Sequence, residues 1–166
     1  MLIMKYRLLL LDANVVIYLC ELGLWQKFIE QCDVTLTKTV VDEVKSYDLQ
    51  PDIQNGKIRC VEASLKSIEA FKAKLGVTYL DRMDPGEAES LAYLMESREQ
   101  WQLSSGDEIV YKTLGLLNCA EQGISLEELL QKIGLSRPGL DIQYTKEFRL
   151  NITKKGQRDH ITGFLK

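Results

Sequence analysis

The patterning of this chain predicts a three-layer α/β/α fold around a central parallel sheet. Four leucines, Leu8 to Leu11, run straight into Asp12 and Asn14 before a second apolar run begins. Such a short continuous apolar run suits a strand buried on both faces, as in a parallel sheet covered by helices. Short apolar or alternating segments then recur between stretches with helical spacing and capping signals, which is the alternation of an α/β domain. An acid at the exit of the first strand also stands where open α/β sheets bind ligands, beyond the carboxyl end of the strand. A carboxylate there is costly unless it is solvated, hydrogen-bonded or bound to a cation.

The elements follow in order. Val15 to Cys20 and Leu24 to Glu30 read as helices broken at Gly23, and Val34 to Thr37 alternates as a second strand. Thr39 is placed to cap a helix running through Val40, Val41, Val44 and Tyr47, with Glu43 bordering the valine stripe and Asp42 pointing away from it. Pro51 to Gly56 reads as a turn-rich break, Lys57 to Ala63 as a third strand, and Ser64 as the cap of a helix with Leu65, Ile68, Phe71 and Leu75 inward. A loop over 76–83 leads to the clearest helix start, Asp84-Pro85-Gly86-Glu87. There Asp84 caps, Pro85 suits the first helical position, and Glu87 completes a capping box. Trp101 to Ser104 is a fourth strand, Asp107 and Glu108 open a helix carrying Val110, Leu114 and Leu117, and Asn118 to Ala120 reads as a final short strand. Ser125 with Glu128 caps a helix buried through Leu126, Leu129, Leu130 and Ile133. Beyond Arg137-Pro138-Gly139 the pattern changes, and Tyr144 to Thr153 alternates like a strand.

Composition narrows the function classes. A length of 166 residues suits one domain with a sizeable core, and 45% hydrophobic with 27% charged residues is ordinary for a globular protein. A net charge of −3 excludes a globally basic nucleic-acid binder but not a local basic patch. Such a patch stands at the C-terminal end, where residues 144–166 carry six lysines and arginines against two acids. The four cysteines, Cys20, Cys32, Cys60 and Cys119, form no C-x-x-C pair, and His160 is the lone histidine, so a structural zinc site is not expected. Buried reduced thiols beside apolar residues are expected instead, and with them a cytoplasmic location. Asp12 and Asn14 interrupt the N-terminal leucine run against a signal-peptide reading, and no apolar stretch is long enough to span a bilayer. Trp25 and Trp101 are expected as core anchors and His160 as a surface residue.

Four acids share one property, since each lies at a strand exit or a helix start: Asp12, Glu43, Glu87 and Asp107. Carboxylates gathered in one pocket repel one another and take up protons unless a cation neutralises them. Mg²⁺ or Mn²⁺ suits that role, because hard cations prefer oxygen ligands, and such an ion can activate water and clamp a phosphodiester for in-line attack. Each acid also has an ordinary explanation. Asp12 with Asn14 could form a turn, Glu43 could be an exposed helix glutamate, the capping box alone explains Glu87, and Asp107 could simply cap its helix.

The pattern L-L-L-D-A-N-V-V-I, then T-x-x-V-D-E-V, D-P-G-E-A-E-S-L-A and L-S-S-G-D resembles PIN-domain nucleases over about residues 7 to 135. The resemblance implies a compact α/β/α domain, expected over residues 1–136; residues 137–166 lie outside the resemblance and are expected as a basic C-terminal extension packed on or extending the same domain. It further implies a Mg²⁺- or Mn²⁺-dependent ribonuclease, with many members being toxins of toxin–antitoxin pairs and often dimeric. RNA, an antitoxin protein and a second copy of the chain are therefore the expected partners, and no membrane is. Carried over by motif, Asp12, Glu43, Glu87 and Asp107 would be the catalytic acids and metal ligands, with Asn14 hydrogen-bonding beside Asp12 and Ser104 or Ser105 as the small hydroxyl residue. Asp84, Glu87 and Glu89 compete for the third position, and helix geometry favours Glu87 while turning Glu89 toward solvent with Glu96. Arg149, Lys154, Lys155 and Arg158 are the candidate RNA contacts. A catalytically silent PIN-like module that binds RNA or protein is the alternative. A phosphatase with a nucleophilic aspartate ranks last, because asparagine at position 14 cannot serve as the general acid that such chemistry wants two residues on.

Overall fold

A computed structural model describes residues 5–163. Four parallel strands, β1 (Tyr6–Leu11), β2 (Cys32–Thr37), β3 (Ile58–Val61) and β4 (Gln102–Ser104), form one sheet in the order β3-β2-β1-β4. Among the described residues ten α-helices connect or follow them: α1 (Ala13–Glu21), α2 (Trp25–Gln31), α3 (Lys38–Glu43), α4 (Gln50–Gln54), α5 (Leu65–Lys72), α6 (Val77–Leu80), α7 (Pro85–Glu96), α8 (Glu108–Leu116), α9 (Leu126–Lys132) and α10 (Lys146–Thr162). The predicted α/β class with its parallel sheet is what the chain adopts.

The alternation of side chains along β1 and β2 divides the core in two. Leu9, Leu11, Val34 and Leu36 point into a cluster built with α1, α2, α3 and α9. Leu10 and, from β4, Leu103 point into a second cluster built with α5, α7, α8 and α10. Trp25 and Trp101 are buried, one in each layer. The chain reverses direction across the sheet between β1 and β4, so the crevice beyond their carboxyl ends is the topological switch point. Among the described residues no helix is long and apolar enough to cross a membrane.

Capping signals were the most legible features. Asp84, Asp107 and Ser64 accept hydrogen bonds from the first turns of α7, α8 and α5, and Ser125 with Glu128 closes a full capping box on α9. Several expectations are corrected. Thr37, not Thr39, caps α3, and that helix ends at Glu43, leaving Tyr47 outside it. Residues 51–56 are not simply a turn, because Pro51 sits in the first turn of α4 before the chain turns at Gly56 with φ +72°. The loop over 76–83 contains α6, and Leu65 points outward, 78% exposed. Residues 118–120 do not form a strand. Asn118 adopts φ +60° to stop the preceding helix, a 3-10 turn follows over Ala120–Gln122, and only Gly123 bridges to β4. Cys32 is buried, but Cys20 and Cys119 are half-buried and Cys60 is exposed; all four are free thiols.

The largest correction concerns 144–153, expected as a strand. A 3-10 turn over Ile142–Tyr144 leads into α10, which Thr145 caps and Gly163, at φ +68°, ends. Phe148, Leu150 and Ile152 alternate, but the face that packs is the four-residue series Phe148, Ile152, Gly156, while Leu150 stays 39% exposed. Helix α10 runs alongside α8 in the same direction. Tyr144 lies on Gly106 just before α8, and His160 Nδ1 meets the Leu116 carbonyl at its end, 2.9 Å away. Glycines permit the closeness: a Cβ on Gly156 would stand 1.9 Å from the Lys112 carbonyl oxygen, and one on Gly115 2.2 Å from that of Thr153.

Gly156→Ala therefore forces the two helices apart. The expected loss is about 1–3 kcal/mol or more from overpacking, read as a lowered midpoint in thermal unfolding followed by circular dichroism. A variant as stable as the parent would contradict this packing.

Candidate active site

The switch-point crevice collects the acids. Asp12 follows β1 directly, and its backbone N–H donates to the Ser104 carbonyl at 3.0 Å, tying the ends of β1 and β4 together. Its side chain is only 3% exposed. One carboxylate oxygen accepts from the Ala13 N–H at 2.9 Å and the other from Ser105 Oγ at 2.7 Å. Ser105 Oγ in turn accepts from the Asp107 N–H at 2.9 Å, so one hydroxyl joins the first and fourth acidic motifs. Of the two candidate hydroxyl residues, Ser105 holds Asp12, whereas Ser104 Oγ is buried without a hydrogen-bond partner among the described residues. Asn14 Oδ1 accepts from the Gly106 N–H at 2.9 Å and so fixes the same loop from the other side.

The second and third motifs meet through Gly86. Glu43 Oε1 accepts from the Gly86 N–H at 3.0 Å, and a Cβ on Gly86 would lie 2.6 Å from the other Glu43 oxygen. Glycine is poorly suited to a helix, and here it is what lets the carboxylate approach. The next residue, Glu87, is 2% exposed and leaves Oε2 without any hydrogen-bond partner among the described residues. Asp84 accepts from the Glu87 N–H, but the Glu87 carboxylate does not turn back to close a capping box. The cap and the buried acid are thus separate residues.

Glu89 is not turned to solvent as expected. It is buried, and its two oxygens accept from the Thr39 and Ala63 N–H groups, at 2.9 and 3.2 Å, pinning the starts of α3 and α5 onto α7. That engagement removes it from competition for the third acidic position. Glu96, its expected companion in solvent, accepts a short hydrogen bond from Ser67 Oγ.

Electrostatics mark these acids as one group. Burial, with smaller repulsions from Asp84 and Glu43, pushes the Asp12 pKa from its ordinary 3.8 to about 7, against the pull of the Ser105 hydrogen bond. Burial, the Asp84 carboxyl beside it and the charges of Asp12 and Asp107 push Glu87 from 4.5 to about 11. Glu43 is raised by burial and by Asp84, partly offset by the Gly86 hydrogen bond. Asp84 thus acts on all three, which its sequence position as a helix cap concealed. Among the described residues no three carboxylate, imidazole or thiol side chains are gathered closely enough to hold an ion as they stand. The donor set nonetheless fits a hard divalent cation in chemistry: it is all oxygen, mutually repulsive, and has one buried oxygen with nothing to bond.

Residues beyond the expected motifs brace the loop after β4. Tyr144, from the segment before α10, stacks on Tyr18 with centroids 4.1 Å apart, and its hydroxyl donates to the Asn14 carbonyl at 3.3 Å. Its ring occupies the space a side chain at Gly106 would need, 2.6 Å from that Cβ. Tyr111 accepts from the Ser105 N–H and donates to the Ile124 carbonyl, both at 3.1 Å. The basic candidates divide differently. Arg149 is engaged in a two-pronged ion pair with Glu128 through Nε and Nη2, at 2.7 and 2.8 Å, which lowers the Glu128 pKa against the opposing effect of burial and commits one edge of the guanidinium that was expected for RNA. Lys154, Lys155 and Arg158 are exposed but sit on the stretch of α10 level with Lys112–Leu116, at least a helical turn beyond Asp107.

Both raised acids bind protons in the folded state that they release in the unfolded one, so they stabilise the metal-free fold at low pH and lose that contribution as pH rises. For Asp12 the window runs from about 4 to about 7, and for Glu87 it extends to about 11. The metal-free thermal midpoint should therefore fall between pH 5 and 8, by about 2–4 °C for each kcal/mol lost in a chain of this size. Asp12→Asn, whose amide can keep both local hydrogen bonds, should flatten that fall. An unchanged slope would show that Asp12 is not the buried acid described.

No family model matches this chain, and neither does any protein in the curated comparison.

Proposed function

We propose that the protein is a metal-dependent ribonuclease of the PIN type, hydrolysing RNA phosphodiester bonds at the switch-point crevice. The observation that carries the reading is the set of acids Asp12, Glu43, Glu87 and Asp107 around one crevice, with a buried Glu87 oxygen left unpartnered. In the metal-free protein this repulsion is relieved by protons held on Asp12 and Glu87, and a bound cation would relieve it in their place. Mg²⁺ or Mn²⁺, when bound, would supply charge neutralisation and an activated water for in-line hydrolysis.

The chain's own residues then have distinct tasks. Asp12, Glu87 and Asp107 would bind the ion, and Glu43 would border it from α3 while Gly86 fixes its carboxylate. Ser105 orients Asp12 and holds the Asp107 loop, and Asn14 locks Gly106 so that the loop cannot open. Lys154, Lys155 and Arg158 would take the RNA backbone where it leaves the crevice. An antitoxin protein and a second copy of the chain are the partners that this reading carries with it.

One observation favours the second reading, a silent RNA- or protein-binding module: the acids are not drawn close enough together, as they stand, to hold an ion. Cleavage decides between them. Purified wild-type protein should cut a mixed RNA pool with Mg²⁺ or Mn²⁺ and stop with EDTA, and Asp12→Asn should lower the rate by about a hundredfold or more, the scale of losing a principal electrostatic group. Equal cleavage by the variant would remove the assignment. No cleavage by either would favour the silent module.

A further inference from the structure

At the other end of the strands from the acids, a cleft of about 220 Å³ opens over the starts of β1, β2 and β3. Its floor is the sheet itself. Val34 and Leu36 point into the first core layer, so Thr35 between them points to the other face, and Arg59 pairs with Thr35 across the β2–β3 ladder. Helix α7 meets that face at the far end of β2, where Thr37 Oγ1 lies 3.5 Å from Ser90 Oγ. The near end carries Arg7, Lys57 and Arg59 around the cleft.

Three independent features set this patch apart from ordinary surface. First, its cations are not neutralised. Arg7 and Arg59 make no hydrogen bond or ion pair among the described residues, and Lys57 reaches only Gln26 Oε1, at 3.4 Å. The one acid on the lining, Asp33, lies 4.0 Å from Lys5 instead. Second, β1 is irregular here. Its register advances three residues, Tyr6 to Leu9, against two on β2, Cys32 to Val34, and Leu8 adopts φ +58°. A bulge is rare in a parallel ladder and a branched side chain is strained at positive φ, and such features re-aim side chains at functional sites. The bulge is what brings both Arg7 and Leu8 onto the cleft wall. Third, Thr35 is 3% exposed, lines the cleft, and makes no side-chain hydrogen bond among the described residues.

We infer that this cleft is a second, anion-binding site that takes a terminal phosphomonoester, of a free nucleotide or of an oligonucleotide end. Two guanidinium groups offer the planar forks that match phosphate oxygens, Lys57 adds a point charge, and the Thr35 hydroxyl gives a neutral donor at the floor. Three cations suit a group carrying about −1.5 to −2 charge at neutral pH better than a singly charged diester. The volume is below that of sites enclosing drug-sized molecules, which suits a phosphate group with the rest of the ligand outside. Four residues of β1, Leu8 to Leu11, separate Arg7 from Asp12, about 15 Å along the strand, so the site is separate from the acidic crevice and does not depend on the nuclease reading.

The test is an amide NMR titration of the full chain in EDTA, with inorganic phosphate, a nucleoside 5′-monophosphate, and one oligoribonucleotide with and without a 5′-phosphate. Saturable shifts at Arg7, Thr35, Gly56 and Arg59 are expected. The variants Arg7→Ala and Arg59→Ala change exposed side chains, and each should weaken binding about tenfold, the loss of one charge-assisted contact. Tighter binding of the 5′-phosphorylated strand than of the monophosphate assigns the site to a strand end, and the reverse order assigns it to a free nucleotide. Binding of the 5′-hydroxyl strand equal to that of the phosphorylated one would overturn the proposal. So would cleft amides that do not move, or equal affinity in both arginine variants while their spectra remain those of the folded protein.

Discussion

Burial of Asp12 where β1 and β4 part is the constraint on which the rest of the crevice depends. A strand of leucines covered on both faces delivers its next residue into a dry place, and that residue is a carboxylate. The chain supplies hydrogen bonds from Ala13 and Ser105 but no cation of its own, and it adds further acids. Ser105, Asn14 and Tyr111 then brace the loop that carries Asp107, each through a named hydrogen bond, and the Tyr144 ring lies against Gly106 while its hydroxyl bonds the Asn14 carbonyl. A fold that braces mutually repelling groups so firmly keeps them apart from solvent at a cost in stability, which is the usual sign of a site retained for function.

The two ends of the sheet are opposite in charge. Acids gather beyond the carboxyl ends of the strands, and unpaired arginines and a lysine surround a cleft at the amino ends. In a chain of net charge −3 this separation is a property of the fold and not of composition. It also gives the molecule a region of positive charge apart from the C-terminal helix, in which Arg149 is held by Glu128 and the other cations of α10 stand away from Asp107. Helix α10 contributes more to the crevice through the tyrosine that precedes it than through its lysines.

What could be read in the sequence was local. The leucine strand with its terminal acid, the caps at Ser64, Asp84, Asp107 and Ser125, and the facing of Glu43 against Asp42 all depend on residues within one turn or one strand. What could not be read depended on partners far along the chain. Glu89 looked solvent-facing because its acceptors' partners, the amides of Thr39 and Ala63, lie 50 and 26 residues away. Residues 144–153 looked like a strand because Phe148, Leu150 and Ile152 alternate, and only the glycine contact with α8 selects the helical face. Gly86 does leave a signal in the sequence: a glycine in the first turn of an otherwise strong helix asks for a reason, and the reason is Glu43.

If the acids form a cation site, Asp12 is at its centre. Calorimetric titration of Mn²⁺ into wild-type protein and into Asp12→Asn tests that without reference to any RNA. The wild type is expected to bind saturably and the variant at least about tenfold more weakly, since a neutral amide replaces a charged ligand, with the variant at least as stable as its parent in the absence of metal. Equal binding by both proteins, or none by the wild type, would contradict a cation site centred on Asp12.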